Sequence, residues 1–438
     1  MNEERRTAFI KAAIWHGSLE EAEQLLAAHP ELATCDIHTA AITAQVDAVR
    51  EFLADDPANA TAVSEPYGGN ALVYLCLSIY LQQDKTRSDD FMQAAQALLE
   101  GGADPNAGFT VEGPYPGYET PLYGAAGVAH HAGLTELLLA YGANPNDEEA
   151  VYHSPETYDN EAMQLLVATG KLTQENLSMM LIRKLDWHDY HGLQYLLDHG
   201  ADPNGERKRG WHALHHSLKR ANGLPFVALL LERGADPLLA SNGFTPVMMA
   251  ACEGRNDVLE LFAQKGIAVQ LEGVYQLIAA CAMDDPEAIE KIVRASPSLV
   301  SQVLAMGGEL LARFSVCGNA AGVQQLLNLG IPADAPYRAG DGYYDIPIGS
   351  LAIHIAAWRG YPEVVQVFIA AGSPVDVPDK NGQTPLALAI KACVDSYWTE
   401  RRSPDAVKAL LAAGASANTI SYPCGYDAVD ALLAAARK

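Results

Sequence analysis

The sequence predicts an all-α solenoid, an array of about twelve helix-turn-helix units with short β-hairpin fingers taking in nearly all of 438 residues. Two recurring signals predict it. In the first, glycine follows an apolar helical run: "LLEGGADPN" at Gly102, "LLAYGANPN" at Gly142, "LLDHGADPN" at Gly200 and "LLERGADPL" at Gly234. Fainter copies stand at Gly266, Gly330, Gly372 and Gly414. Each reads as a helix C-terminus, because glycine takes the left-handed conformation that closes a helix and the Asp/Asn and Pro beyond it start a turn. The second signal opens the next helix, as in "GFTPVMMAACEGRNDVLELF" from Gly243, "NGQTPLALAIKA" from Asn381, "ETPLYGAAG" from Glu119 and "SLAIHIAAWRGYPEVVQVF" from Ser350. Threonine caps free N–H groups, proline tolerates the first turn, and Ala-Ala pairs let consecutive helices lie close.

The elements follow in chain order. "FIKAAIWHGSLEEAEQLL" is an N-terminal cap over about residues 1–34, and weaker units start at His38, Glu161 and Tyr275. "CGYDAVDALLAAARK" gives a closing helix over about residues 425–438. The intervals Gly200 to Gly234 and Gly234 to Gly266 are 34 and 32 residues. This pairing of T-P-L-H-x-A-A with G-A-D-x-N resembles the ankyrin repeat, in a divergent, bacterial-type form with long finger loops. The resemblance implies a single ankyrin-repeat solenoid over 1–438, whose first helices and fingers form a concave binding face.

Composition narrows the function classes. Hydrophobic residues make up 49% of the chain, enough for a core, and no apolar run approaches the roughly 18 residues of a membrane span. A net charge of −25 repels phosphate backbones, although "GERKRG" over 205–210 is a local basic turn. The start shows no apolar signal segment, and the seven cysteines are scattered with no C-x-x-C pair. These readings predict a cytoplasmic, acidic protein with no nucleic-acid or membrane partner.

Two fingers depart from the repeat. From closing glycine to the residue at the T-P-L-H histidine position is 15 residues at Gly200 to His215, but 21 at Gly102 to Tyr123 and 24 at Gly330 to His354. The additions are "GFTVEGPYPGYE" (108–119) and "PYRAGDGYYDIPIGS" (336–350), with a third aromatic finger, "SEPYGGN", at 64–70. Their Tyr67, Tyr115, Tyr118, Tyr337, Tyr343 and Tyr344 supply broad contact surface with a hydroxyl. By the resemblance, the residues after Ala-Ala face the groove: Trp15 and His16, Asp186 and Trp187, Lys219 and Arg220, Cys252 and Glu253, Trp358 and Arg359. A tryptophan on a polar face needs a cover, either the long loops or a ligand.

No H-E-x-x-H, G-x-S-x-G, G-x-x-x-x-G-K-[ST] or G-x-G-x-x-G occurs, so no motif supports a zinc protease, a hydrolase elbow or a phosphate loop. His212 and His215, like His188 and His191, have the i,i+3 spacing of metal ligands. The resemblance gives His215 and His354 a structural bond to the next hairpin instead, and no metal or cofactor is expected. The leading expectation is a module gripping a protein or peptide through Trp15, Tyr67, Tyr115, Tyr118, Trp187, Arg220, Tyr343, Tyr344, Trp358 and Arg359. The alternative is an enzyme or small-molecule binder in which Asp341, Asp345, Arg338, Glu119 and Asp186 do acid–base chemistry under sheltering loops.

Overall fold

The helix signals recur in the computed structural model of the chain, which describes residues 3–113, 116–205, 212–418 and 420–437. Among these residues, twelve helix pairs run from Glu3–Ala13 with Leu19–Ala28 to Pro385–Asp395 with Asp405–Ala412, and Asp427–Ala436 closes the series. The closing glycines take left-handed φ values from 73° at Gly266 to 106° at Gly330. The Thr-Pro starts are caps: Thr245 Oγ1 accepts the Met248 N–H and Thr384 Oγ1 the Ala387 N–H, each at 3.2 Å. Ala250, Ala251, Ala356 and Ala357 are buried, as close packing of first helices requires.

Contacts gather into two compact units, residues 1–216 and 217–438. In the first, Ile37–Ile42 packs on Ala71–Cys76, and Glu148–His153 packs between Tyr123–Val128 and Gln174–Asp186. The Asn of G-A-N-P-N and G-A-D-P-N stitches successive loops. Asn106 donates to the Gly142 carbonyl at 3.1 Å and accepts the Asn144 N–H at 2.8 Å. Tyr123–Val128 is a π-helical turn, and a methyl on its Gly124 would lie 2.6 Å from the Cys76 carbonyl carbon. Only glycine permits that approach.

In the second unit, Val274–Ala282, Ser298–Val316, Ala352–Trp358 and Pro385–Asp395 pack side by side in that order. Ser298–Val316 corrects one expectation, being long and apolar enough by length and composition to cross a membrane. Half of that stretch is buried against neighbouring helices, and it carries Glu309 and Arg313.

The described residues form three antiparallel hairpins. They are β1 (Val63–Ser64) with β2 (Gly69–Asn70), β3 (Phe109–Val111) with β4 (Gly117–Glu119), and β5 (Pro336–Tyr337) with β6 (Ser350–Leu351). In the middle hairpin Phe109 lies opposite Glu119 and Thr110 opposite Tyr118. All seven cysteines are free thiols.

Candidate functional site

In residues 1–216 two hairpins and the first turn bring aromatic rings together. Tyr67, in the β1–β2 turn, stacks on Phe109 of β3 with centroids 5.2 Å apart, and Trp15 meets Phe109 edge-on at 6.5 Å. The Trp15 indole N–H donates to the Tyr123 hydroxyl at 3.2 Å. Trp15 itself occupies a left-handed turn (φ 51°). Tyr118 is half exposed, and its hydroxyl accepts the Gly108 N–H at 2.8 Å.

A polar ladder continues from these rings across consecutive first helices. Tyr123 packs on His153 at 5.3 Å, and the His153 ring nitrogens face Glu149 at 3.4 Å and Glu156 at 2.8 Å. Glu156 pairs with Arg183, Arg183 with Asp186 at 2.7 Å, and Asp186 with His216 at 2.7 Å. Arg183 also lies over the Tyr152 ring at 4.3 Å. Helical spacing produces this, since i,i+3 and i,i+4 neighbours share a face and each repeat sets its first helix beside the last.

Glu119 stands at the aromatic end of the ladder. It is 4% exposed, and its Oε2 has no hydrogen-bond partner among the described residues. Burial, and then the negative charges of Glu149 and Asp147, push its carboxyl up to about 7. Burial likewise raises Asp147, which caps Glu148–His153 by accepting the Ala150 N–H at 2.7 Å.

Residues 217–438 use their rings differently. The 336–350 loop folds onto Ala352–Trp358, so that Tyr344, Trp358 and Arg359 are all buried. The Trp358 indole N–H donates to the Tyr344 carbonyl at 2.9 Å, and the Tyr344 hydroxyl to the Arg220 carbonyl at 2.5 Å. Arg359 lies between the Tyr344 and Trp398 rings, 4.3 Å from each centroid. Arg220 covers Tyr343 at 3.9 Å, and Lys391 covers Trp358 at 4.6 Å. The Arg359 Nε–H donates to the Val316 carbonyl at 3.3 Å. Burial pulls its pKa below the usual arginine value. The hollow beneath the loop measures about 10 Å³, about one water.

Several expected site residues therefore need correction. Tyr344, Trp358 and Arg359 are spent on the protein's own loop and face no solvent. The predicted shelter for acid–base chemistry is missing around Asp341 and Asp345. Asp341 holds its own turn by accepting the Tyr343 N–H at 3.0 Å, while Asp345 is exposed and pairs with Lys391 at 3.3 Å. The Arg338 side chain is exposed, and its backbone N–H donates to Glu309 at 3.3 Å. Trp187 is 36% exposed and edges Tyr158 at 6.0 Å rather than a finger. Tyr115 and the 206–210 part of the basic turn lie outside the described residues. His354 does bond the next loop, through Nε2 to the Val377 carbonyl at 2.8 Å.

Sequence reasoning missed Phe109, Glu149, His153, Glu156, Arg183 and Trp398. "EAVYHSPE" holds acid, histidine and acid at i, i+4 and i+7, a one-face pattern. "SYWTERRSP" is an overlong connection between Pro385–Asp395 and Asp405–Ala412 that carries Trp398 and Arg401. Both signals were readable.

Two family models agree with this architecture. Residues 179–273 match a family model of ankyrin repeats (3 copies), and residues 326–389 match one of ankyrin repeats (many copies). The chain is 39% identical over 89 residues to the human 2-5A-dependent ribonuclease, a match covering 20% of this chain and 12% of that protein. The solved human ASB11 ankyrin repeat domain is 20% identical, with a TM-score of 0.23, over 54% of this chain and 98% of that one. With capped first helices, left-handed closing glycines and Asn-stitched loops in series, each of the two units is a solenoid of ankyrin repeats carrying short β-hairpin fingers.

Proposed function

We propose that this chain is a binding module that grips a protein or peptide segment along the first helices and fingers of residues 1–216. Ankyrin repeats are in general protein-interaction modules. The observation that carries the reading is the continuous face of half-buried rings and charges from Tyr67 and Trp15 to His216. Aromatic anchors beside oriented charges are the make-up of interface hot spots. The −25 net charge and free thiols favour a cytoplasmic role with a protein, not nucleic acid or membrane, as partner.

The test is a pull-down with the full chain and two variants. Replacing Trp15, Tyr67 and Tyr118 together by alanine abolishes recovery of the partners, whereas Tyr343→Ala preserves it. Equal recovery by the triple variant overturns the reading.

The small-molecule alternative now rests on Glu119 rather than Asp341 and Asp345, since Glu119 has the shifted carboxyl. An open groove of about 340 Å³ does exist, but it lies on second helices, lined by Glu136, Gln164, Leu165 and Tyr195. Its lining includes neither Glu119 nor Glu149, so the binding-module reading is preferred.

A further inference from the structure

The corner made by Glu119 and Glu149 beside the Trp15–Tyr67–Phe109 rings is, we propose, the anchoring site for a lysine or arginine side chain of a basic peptide segment. This rests on the binding-module reading and gives its partner a chemistry. Among the described residues Glu119 Oε2 is buried without a hydrogen-bond partner, and leaving an acceptor so placed unmade is costly. The neighbouring Glu149 side chain keeps 31% of its surface exposed. Both carboxylates converge over the bare backbone of Gly117, where an added methyl would stand 2.8 Å from Glu119 Oε1 and 3.2 Å from Glu149 Oε1. Two acids in one corner call for a positive charge.

The chain does not supply it from the ladder. Arg183 is committed to Glu156 and Asp186, and His153 is shared between Glu149 and Glu156. A metal ion is a poorer occupant than a nitrogen cation, because no group of three or more His, Cys, Asp or Glu among the described residues is arranged to hold one. An ammonium or guanidinium head needs only the two carboxylates, and its alkyl stem finds apolar cover on half-buried Trp15 and Tyr67. The acidic balance of the chain draws basic segments toward it.

Proton linkage supports the same occupant. The groups facing Glu119 are Glu149, Asp147 and His153 from the next repeat and Tyr123 from its own, and burial, then the two acids, push its carboxyl up to about 7. A bound cation favours the ionised form, so binding strengthens as pH rises from 6 to 8 and releases a proton from Glu119.

The experiment is to pan a random dodecapeptide display library on the full chain at pH 8, then measure synthetic versions of the enriched peptides against variants. Expected are peptides carrying Lys or Arg that bind Glu119→Gln about tenfold more weakly. They bind Glu51→Gln, an exposed acid on a second helix, as they bind the parent. Their pH dependence between 6 and 8 flattens in Glu119→Gln. Basic peptides that weaken equally in both variants report bulk charge alone and overturn the site. Peptides without basic residues that still depend on Trp15, Tyr67 and Tyr118 overturn the site while the binding-module reading stands. No enrichment over a blank surface defeats both.

Discussion

Residues 1–216 and 217–438 are built from the same repeat and both place tryptophan, tyrosine and arginine on their first helices, yet they spend them in opposite ways. In 217–438 the long finger lies down on its own unit: Tyr344 and Trp358 are covered and Arg359 is clasped between rings. In 1–216 the fingers pack on each other through Tyr67 and Phe109, and an acidic end of the ladder stays unmatched. Finger length therefore does not mark recognition by itself. What an inserted loop covers decides its role, and an unmet charge is the better pointer to a partner.

The sharpest way to break this comparison is to remove one tryptophan from each unit. Trp398→Ala strips the cover from Arg359 and costs roughly 3–5 kcal/mol, with faster hydrogen exchange across 336–350. Trp15→Ala, at a half-buried ring, costs only about 1–2 kcal/mol. Equal losses in chemical unfolding would erase the distinction between clasp and contact surface.

A smaller effect tests the unmatched acid. The Glu119 carboxyl is raised in the folded chain, so the fold favours its protonated form over its ionised one. Stability from this group is present below the ordinary glutamate pKa and is lost as pH rises through about 7. Glu119→Gln should then raise Tm by roughly 2–4 °C at pH 8 and leave it unchanged at pH 4. A variant that melts lower at pH 8 would show that the charge has a partner after all.

The smallest effect concerns the turns between paired helices. Ala44 and Ala221, one in each unit, hold left-handed φ values of 47° and 49°. Replacing either by glycine relieves the Cβ clash and should stabilise by roughly 0.5–1 kcal/mol. If only one of them stabilises in denaturant titrations, the two units do not share turn energetics.

The repeat was legible because its determinants are local. A glycine that must take positive φ, a threonine capping the third residue on, and small residues between helices are each written within a few positions. The long fingers could be measured from the same ruler. Their destinations could not, since whether "GYYD" meets solvent or Arg220 and Arg359 depends on residues up to about 124 positions away. Glu119 was singled out only as one of several acids. Its distinction comes from burial and then from Glu149 and Asp147, supplied by the next repeat. Trp15 shows the limit of pattern reading, for it sits in the left-handed turn itself and reaches its neighbours from there.

The guanidinium clasp of Arg359 carries one more consequence. Its attachments are ring faces and a backbone carbonyl rather than carboxylates. Mobile ions screen opposed charges far more than they weaken a cation pressed against a desolvated ring. Raising the ionic strength should therefore loosen the exposed Lys391–Asp345 pair while Arg359 stays clasped between its rings, so that dissolved salt separates the loop's charge contact from its ring contacts.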